Sequence, residues 1–109
     1  MSKSPEEYLK HILREVDYLL SESKGLTLVN LMRDETKMRA FSRSLEIIGE
    51  ATKKVPEEFK KEHLETDWKA MAGMRDRLIH GYFDVDYEIV WDVIENELPK
   101  LRDQLKNLV

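Results

Sequence analysis

Cysteine is absent from the 109 residues, which excludes disulfides, cysteine-ligated zinc and thiol catalysis. With 4 Gly and 3 Pro there is little room for a turn-rich β architecture. No apolar run approaches the ~20 residues that a membrane span requires. The polar start, Met1 to Pro5, does not read as a secretory signal. A cytoplasmic protein with no membrane contact is therefore expected. The formal net charge of −4 argues against a chain that coats nucleic acid non-specifically, and leaves room for a local basic cleft. No His-x-x-x-His pair occurs, and no second histidine lies near His80. Asp84 and Asp86 could suggest a metal pair, but capping accounts for Asp86 and exposure for Asp84. No metal site and no cofactor are expected.

What is present is 41% hydrophobic and 37% charged, the composition of a soluble helical chain, read here as one domain over residues 1–109. Ser4-Pro5-Glu6-Glu7 has the order of a helix start, with Ser as N-cap, Pro at the first helical position and Glu closing a capping box. Leu9, Leu13, Val16 and Leu20 then recur on one face of a helix that runs to about Ser23 and stops before Gly25. Thr27 to Met32 reads as a short helical turn. Asp34 caps a second long helix to about Lys54, with Met38, Phe41, Leu45 and Ile48 as its apolar stripe. Gly49 in the middle of that helix costs about 1 kcal/mol against Ala, so it is expected to permit a close backbone approach. The opposite face carries Arg33, Lys37, Arg39 and Arg43, either a solvated face or a contact for phosphates.

Val55-Pro56 ends the second helix, and Pro56 to Lys61 can form one turn. Trp68 opens a third helix with Met71, Met74, Leu78 and Ile79 inside, closing at Gly81. Asp86 caps the last helix, where Tyr87, Val90, Trp91, Ile94, Leu98, Leu101, Leu105 and Leu108 keep a three-four spacing. Pro99 lies within it and predicts a kink. The expected fold is an all-α up-down bundle of four to five helices with a kinked C-terminal helix. The long stripes of the first and last helices suggest that a second chain covers part of them.

Reactive side chains concentrate in Met74 to Tyr82, which holds Arg75, Arg77, His80 and Tyr82. Taken singly, each has an ordinary explanation. His80 near a helix end would interact with the helix dipole, Arg75 would pair with a carboxylate, and Tyr82 would pack at a rim. On an ideal helix Arg75 and His80 stand about 140° apart, so one helix aims both at one atom only through the reach of the arginine. Two copies meeting at a symmetric interface could bring two Arg and two His into one cleft. Such a set suits RNA cleavage, because the substrate supplies its own nucleophile, the 2′-hydroxyl. His80 can move a proton near neutral pH, and Arg75 can hold the non-bridging oxygens and stabilise the charge that builds on them.

Arg75-x4-His80-x-Tyr82 resembles the Arg-x4-His-x-Tyr motif of the HEPN superfamily, specifically its HepT-type toxins. Leu45-Glu46-Ile47-Ile48-Gly49-Glu50-Ala51 resembles the second-helix signature of that family. Trp68 to Arg75, then His80-Gly81-Tyr82-Phe83 with Val85-Asp86 and Trp91, is similar to its C-terminal half. The resemblance spans essentially the full chain. It implies a homodimeric helical bundle with the motif helices forming the cleft, and a metal-independent ribonuclease toxin of a toxin–antitoxin pair. Its implied partner is a cognate nucleotidyltransferase antitoxin that transfers AMP to the motif tyrosine. Carried onto this chain, Arg75 and His80 are catalytic and Tyr82 is the AMPylation site. Asp76 follows the motif arginine and is a supporting residue for Arg75 or His80. Arg39 and Arg43 are candidate RNA contacts. The rival expectation is a helical interaction module that binds a nucleotidyltransferase or a nucleotide and cleaves nothing.

Overall fold

The computed structural model describes residues 4–80 and 84–109, and of His80 only the backbone. Several of its helices begin where the sequence supplies side-chain caps. The Ser4 hydroxyl accepts from the Glu7 N–H at 3.3 Å and Pro5 opens α1 (Pro5–Glu22). Thr27 caps α2 (Leu28–Met32), and Asp34 accepts from the Lys37 N–H to start α3 (Glu35–Lys54). Asp67 does the same for α5 (Trp68–Ala72), which follows the single turn α4 (Glu57–Glu62). Each such cap is worth about 1 kcal/mol, because it satisfies an N–H that the helix itself leaves unpaired. Gly25, at φ 72°, takes the chain out of α1 in a conformation that side chains resist.

α1 and α3 pack antiparallel. Lys37 lies 3.8 Å from Glu22, the Phe41 ring meets Tyr18 edge-on, and the Ser44 hydroxyl donates to Glu15 at 2.9 Å. Phe41, Leu45 and Ile48 from α3 are fully buried against Leu9, Ile12, Val16 and Leu19 of α1. The last helical segment closes over the same core with Leu98, Leu101 and Leu105. The bundle is all-α, as expected, but its helical segments outnumber four to five. Short helices occupy both connectors, and Gly73 divides the third helix. Leu9, Ile12, Val16 and Leu19 of α1 and Leu98, Leu101 and Leu105 of α8 (Leu98–Lys106) are buried within the chain, while Leu13, Leu20 and Leu108 are half-buried. No helix among the described residues is long and apolar enough to cross a membrane.

The C-terminal segment shows how Pro99 is accommodated. Proline has no N–H to donate to a carbonyl one turn back. Between α7 (Tyr87–Asp92) and α8 the backbone widens into a π turn over Val93–Glu97, with the Leu98 N–H donating to the Val93 carbonyl. This interruption falls just ahead of the expected kink position. Val93, three residues after Val90, is buried beside Ile94 at the start of this turn.

The motif segment departs most from expectation. α6 (Met74–Leu78) stops three residues before Gly81. Ile79–His80 then form a strand, β1, paired antiparallel with β2 (Asp84–Val85), so that Ile79 faces Val85 and His80 faces Asp84. The Asp86 N–H donates to the Leu78 carbonyl at 2.8 Å and locks the hairpin base to the helix end. Val85, at half-buried depth, then leads into the Asp86 cap of α7. Ile79 and Val85, both β-branched, favour this extended pairing over another helical turn.

Candidate active site

Arg75 sits on the first turn of α6, and the face of α3 that meets it is set by Gly49. A side chain at Gly49 would place its first carbon 3.4 Å from the Ala72 carbonyl, 3.5 Å from the Met71 carbonyl and 3.6 Å from the Arg75 amide nitrogen. The bare glycine therefore lets the α5–α6 junction lie directly on α3, as the position of Gly49 in the helix suggested. One turn earlier on α3 stands Glu46, and its carboxylate bridges two cations. Oε1 accepts from Arg43 Nη1 at 2.7 Å, and Oε2 accepts from Arg75 Nε at 3.1 Å. These hydrogen bonds, that from Arg43 first and that from Arg75 second, hold the Glu46 carboxyl below the usual glutamate range. Its folded pKa is depressed. The stability it contributes is therefore fully present above the ordinary glutamate pKa and is lost as pH falls through the lowered value.

Arg75 remains 41% exposed at its side chain. Its Nη1 lies 3.6 Å from Asp76 Oδ1, an ion-pair distance longer than a hydrogen bond. Asp76 is thus placed beside Arg75, on an exposed side of the helix. Arg77, the other arginine of the segment, does something different. It donates two hydrogen bonds to Glu97, at 2.9 and 2.8 Å, and so ties α6 to the π turn. Arg39 lies on the outer face of α3, where it donates to Glu35 at 2.7 Å and stands apart from the Arg75 ion pairs. Arg43 is joined to Arg75 through Glu46. The structure therefore brings Arg43, Arg75 and Asp76 into one charged cluster. His80 leaves the end of α6 on extended backbone, so the helical angle of about 140° between it and Arg75 does not apply. Tyr82 lies outside the described residues.

An arginine anchored by a carboxylate and still open to solvent, beside a second arginine, can grip the non-bridging oxygens of a phosphodiester. The comparisons with known proteins point the same way. The model of the family described as Ribonuclease HepT-like matches residues 6–108. The chain belongs to that family. Its enzyme class is that of a ribonuclease. A candidate RNase of Caldanaerobacter subterraneus subsp. tengcongensis is 48% identical over 107 residues, covering 98% of this chain and 96% of its own length. A protein named probable ribonuclease HepT in Thermococcus cleftensis is 35% identical over 108 residues, covering 99% and 98%. A candidate RNase of Methanocaldococcus jannaschii is 35% identical over 107 residues, covering 98% and 88%. No solved structure gives a significant match.

Glu46 is the residue of this cluster that sequence reasoning did not assign. The available signals were its place in the second-helix signature and its local setting, three residues after Arg43 and three before a buried helical glycine. Gly49 makes the arrangement testable. Gly49→Ala is expected to stay within about 1 kcal/mol of the parent, since the methyl meets ordinary contact distances and the helix gains propensity. Gly49→Val drives a second carbon against backbone carbonyls that cannot rotate away, which costs about 1–3 kcal/mol. Urea midpoints should fall for Val only, and RNA cleavage should fall with them as α6 is pushed off Glu46.

Proposed function

We propose that this HepT-like ribonuclease cleaves RNA without a metal ion, with Arg75 and His80 as its catalytic residues. We further propose that it acts as the toxin of a pair silenced by AMP transfer to Tyr82. The observation that carries the catalytic reading is the anchored Arg75 guanidinium, exposed on the short helix whose end leads straight into His80. In the reaction, the substrate 2′-oxygen forms a bond to phosphorus as the bond to the 5′-oxygen breaks, giving a 2′,3′-cyclic phosphate and a 5′-hydroxyl. His80 takes the proton from the 2′-hydroxyl or gives one to the departing 5′-oxygen. Arg75 binds the non-bridging oxygens, whose charge grows as the phosphorus becomes five-coordinate. One histidine cannot fill both proton roles at once. A homodimer that joins two motif segments would supply the second, from His80 of the second copy.

The test is cleavage of an RNA by the purified protein in EDTA. Wild type should cut and His80→Ala should not. Activity that vanishes in EDTA and returns with a divalent cation would sink the metal-free reading.

Arg43, in the same cluster as Arg75, and Arg39, one turn away, are proposed to bind RNA phosphates. Both are exposed and can exchange their carboxylate partners for phosphate. Arg39→Ala with Arg43→Ala should weaken RNA binding and flatten the plot of log affinity against log salt. For single-stranded RNA the slope should drop by about 0.7 for each phosphate that is no longer neutralised. Fluorescence anisotropy across a salt series measures this, and an unchanged slope would return both residues to the solvated face.

A further inference from the structure

Given Arg75 as a catalytic residue, we infer that Glu46 is its positioning residue. Its carboxylate takes the Nε edge of Arg75 and fixes the direction in which the remaining guanidinium nitrogens meet the scissile phosphate.

The geometry supports this division of labour. A guanidinium offers hydrogen bonds along distinct edges in a rigid plane. Glu46 Oε2 occupies the Nε position at 3.1 Å, from an element 29 residues away in sequence. The other carboxylate oxygen is held by Arg43 Nη1 at 2.7 Å, so Glu46 itself cannot swing freely. Its side chain is 27% exposed, more enclosed than either arginine it binds. Gly49, one turn further along α3, brings the Arg75 backbone close enough for the bond, at 3.6 Å from where a Cβ would stand. Asp76 reaches Arg75 only at 3.6 Å and is largely exposed, so it cannot set the plane in the same way.

A partly exposed ion pair by itself contributes little to stability, on the order of 1 kcal/mol or less. Aim is another matter, because displacing a catalytic group by about 1 Å can slow a reaction a hundredfold. An anchor acting on aim should change kcat and leave KM nearly untouched. Released from Glu46, Arg75 would still be cationic and would still attract RNA. It would then sample rotamers in which its terminal nitrogens miss the transition state.

The experiment compares the steady-state kinetics of RNA cleavage by wild type, Glu46→Ala, Glu46→Gln, Arg75→Ala and the Glu46→Ala/Arg75→Ala double variant. Urea midpoints are recorded alongside. Glu46→Ala is expected to lose about ten- to a hundredfold in kcat with little change in KM. Glu46→Gln should fall between it and wild type, because its amide oxygen can still accept from Nε as a weaker, neutral partner. In the Arg75→Ala background, removing Glu46 should cost nothing more, the sign that it acts through Arg75. In nitrogen-resolved NMR, the Arg75 Nε–H signal should shift and exchange faster in Glu46→Ala. Should Glu46→Ala prove too unstable to assay, the isosteric Glu46→Gln carries the decision. A kcat equal to wild type in the Gln and Ala variants, while Arg75→Ala is inactive, overturns the inference and leaves the catalytic reading standing. So does a loss from Glu46→Ala that persists undiminished without Arg75. Full activity of Arg75→Ala would instead show that the catalytic reading itself had failed.

Discussion

Arg75→Ala should cut RNA about a hundred- to a thousandfold more slowly than wild type at saturating substrate, the loss typical when one preorganised donor to a developing oxyanion is removed. The reason lies in where the charge appears. Ground-state phosphodiester carries one negative charge, and the five-coordinate transition state concentrates more on its non-bridging oxygens. A fixed cation there lowers the barrier more than it improves binding, so kcat should fall more than KM rises. Arg75→Lys separates charge from geometry. Lysine keeps the cation but has no planar fork, so it cannot be held by Glu46 on one edge and face phosphate with another. It should bind RNA about as well as wild type and recover only a small part of the rate. Rapid-quench cleavage of a short labelled RNA measures both quantities. A lysine variant with wild-type kcat would show that Arg75 supplies charge alone and that its orientation by Glu46 is immaterial.

Tyr82→Phe should behave as an on–off change in regulation while leaving the nuclease intact. In the proposed modification, the Tyr82 hydroxyl oxygen attacks the α-phosphorus of ATP, a phosphodiester to AMP forms, and pyrophosphate leaves. The product adds a bulky nucleotide and a negative charge two positions after His80 in the sequence. Sterics and like-charge repulsion would then oppose substrate together. Phenylalanine keeps the ring and lacks the oxygen that the transfer requires. The variant should therefore cleave RNA as wild type does and remain toxic when the cognate nucleotidyltransferase is present. Intact-mass measurement after incubation with that enzyme and ATP should show AMP added to wild type and none added to Tyr82→Phe. Equal modification of the two, or equal silencing, would remove Tyr82 from the regulatory account even with the ribonuclease activity intact.

Much of the fold was written locally. Ser4, Thr27, Asp34, Asp67 and Asp86 cap helices because each puts a short acceptor just before a helical run. The stripe through Phe41, Leu45 and Ile48 marked the core for the same kind of reason, since spacing along a helix is a property of neighbours in sequence. The resemblance carried by Arg75, His80 and the residues around them pointed to the family to which the chain belongs. Arg75 was legible as the motif arginine and Arg43 as one cation of a basic helix face.

Long-range geometry decided the rest. Periodicity ran the third helix to Gly81, whereas pairing of Ile79 with Val85 ends it at Leu78, a preference that depends on a strand reached only after the chain reverses. Pro99 announced a disturbance, yet the π turn over Val93–Glu97 that lies just ahead of it could not be read from the spacing of apolar residues. The same holds for the apolar stripes of α1 and α8, whose buried leucines meet partners brought in from distant parts of the chain. Glu46 is the clearest case. In the sequence it falls within the second-helix signature but shows no role there, with Arg43 as its only visible partner. Its bond to Arg75 exists because Gly49 lets two backbones approach, which puts residues far apart along the chain within hydrogen-bonding distance. Caps and stripes are set by neighbours in sequence; the orientation of Arg75 is set by what the fold packs beside it.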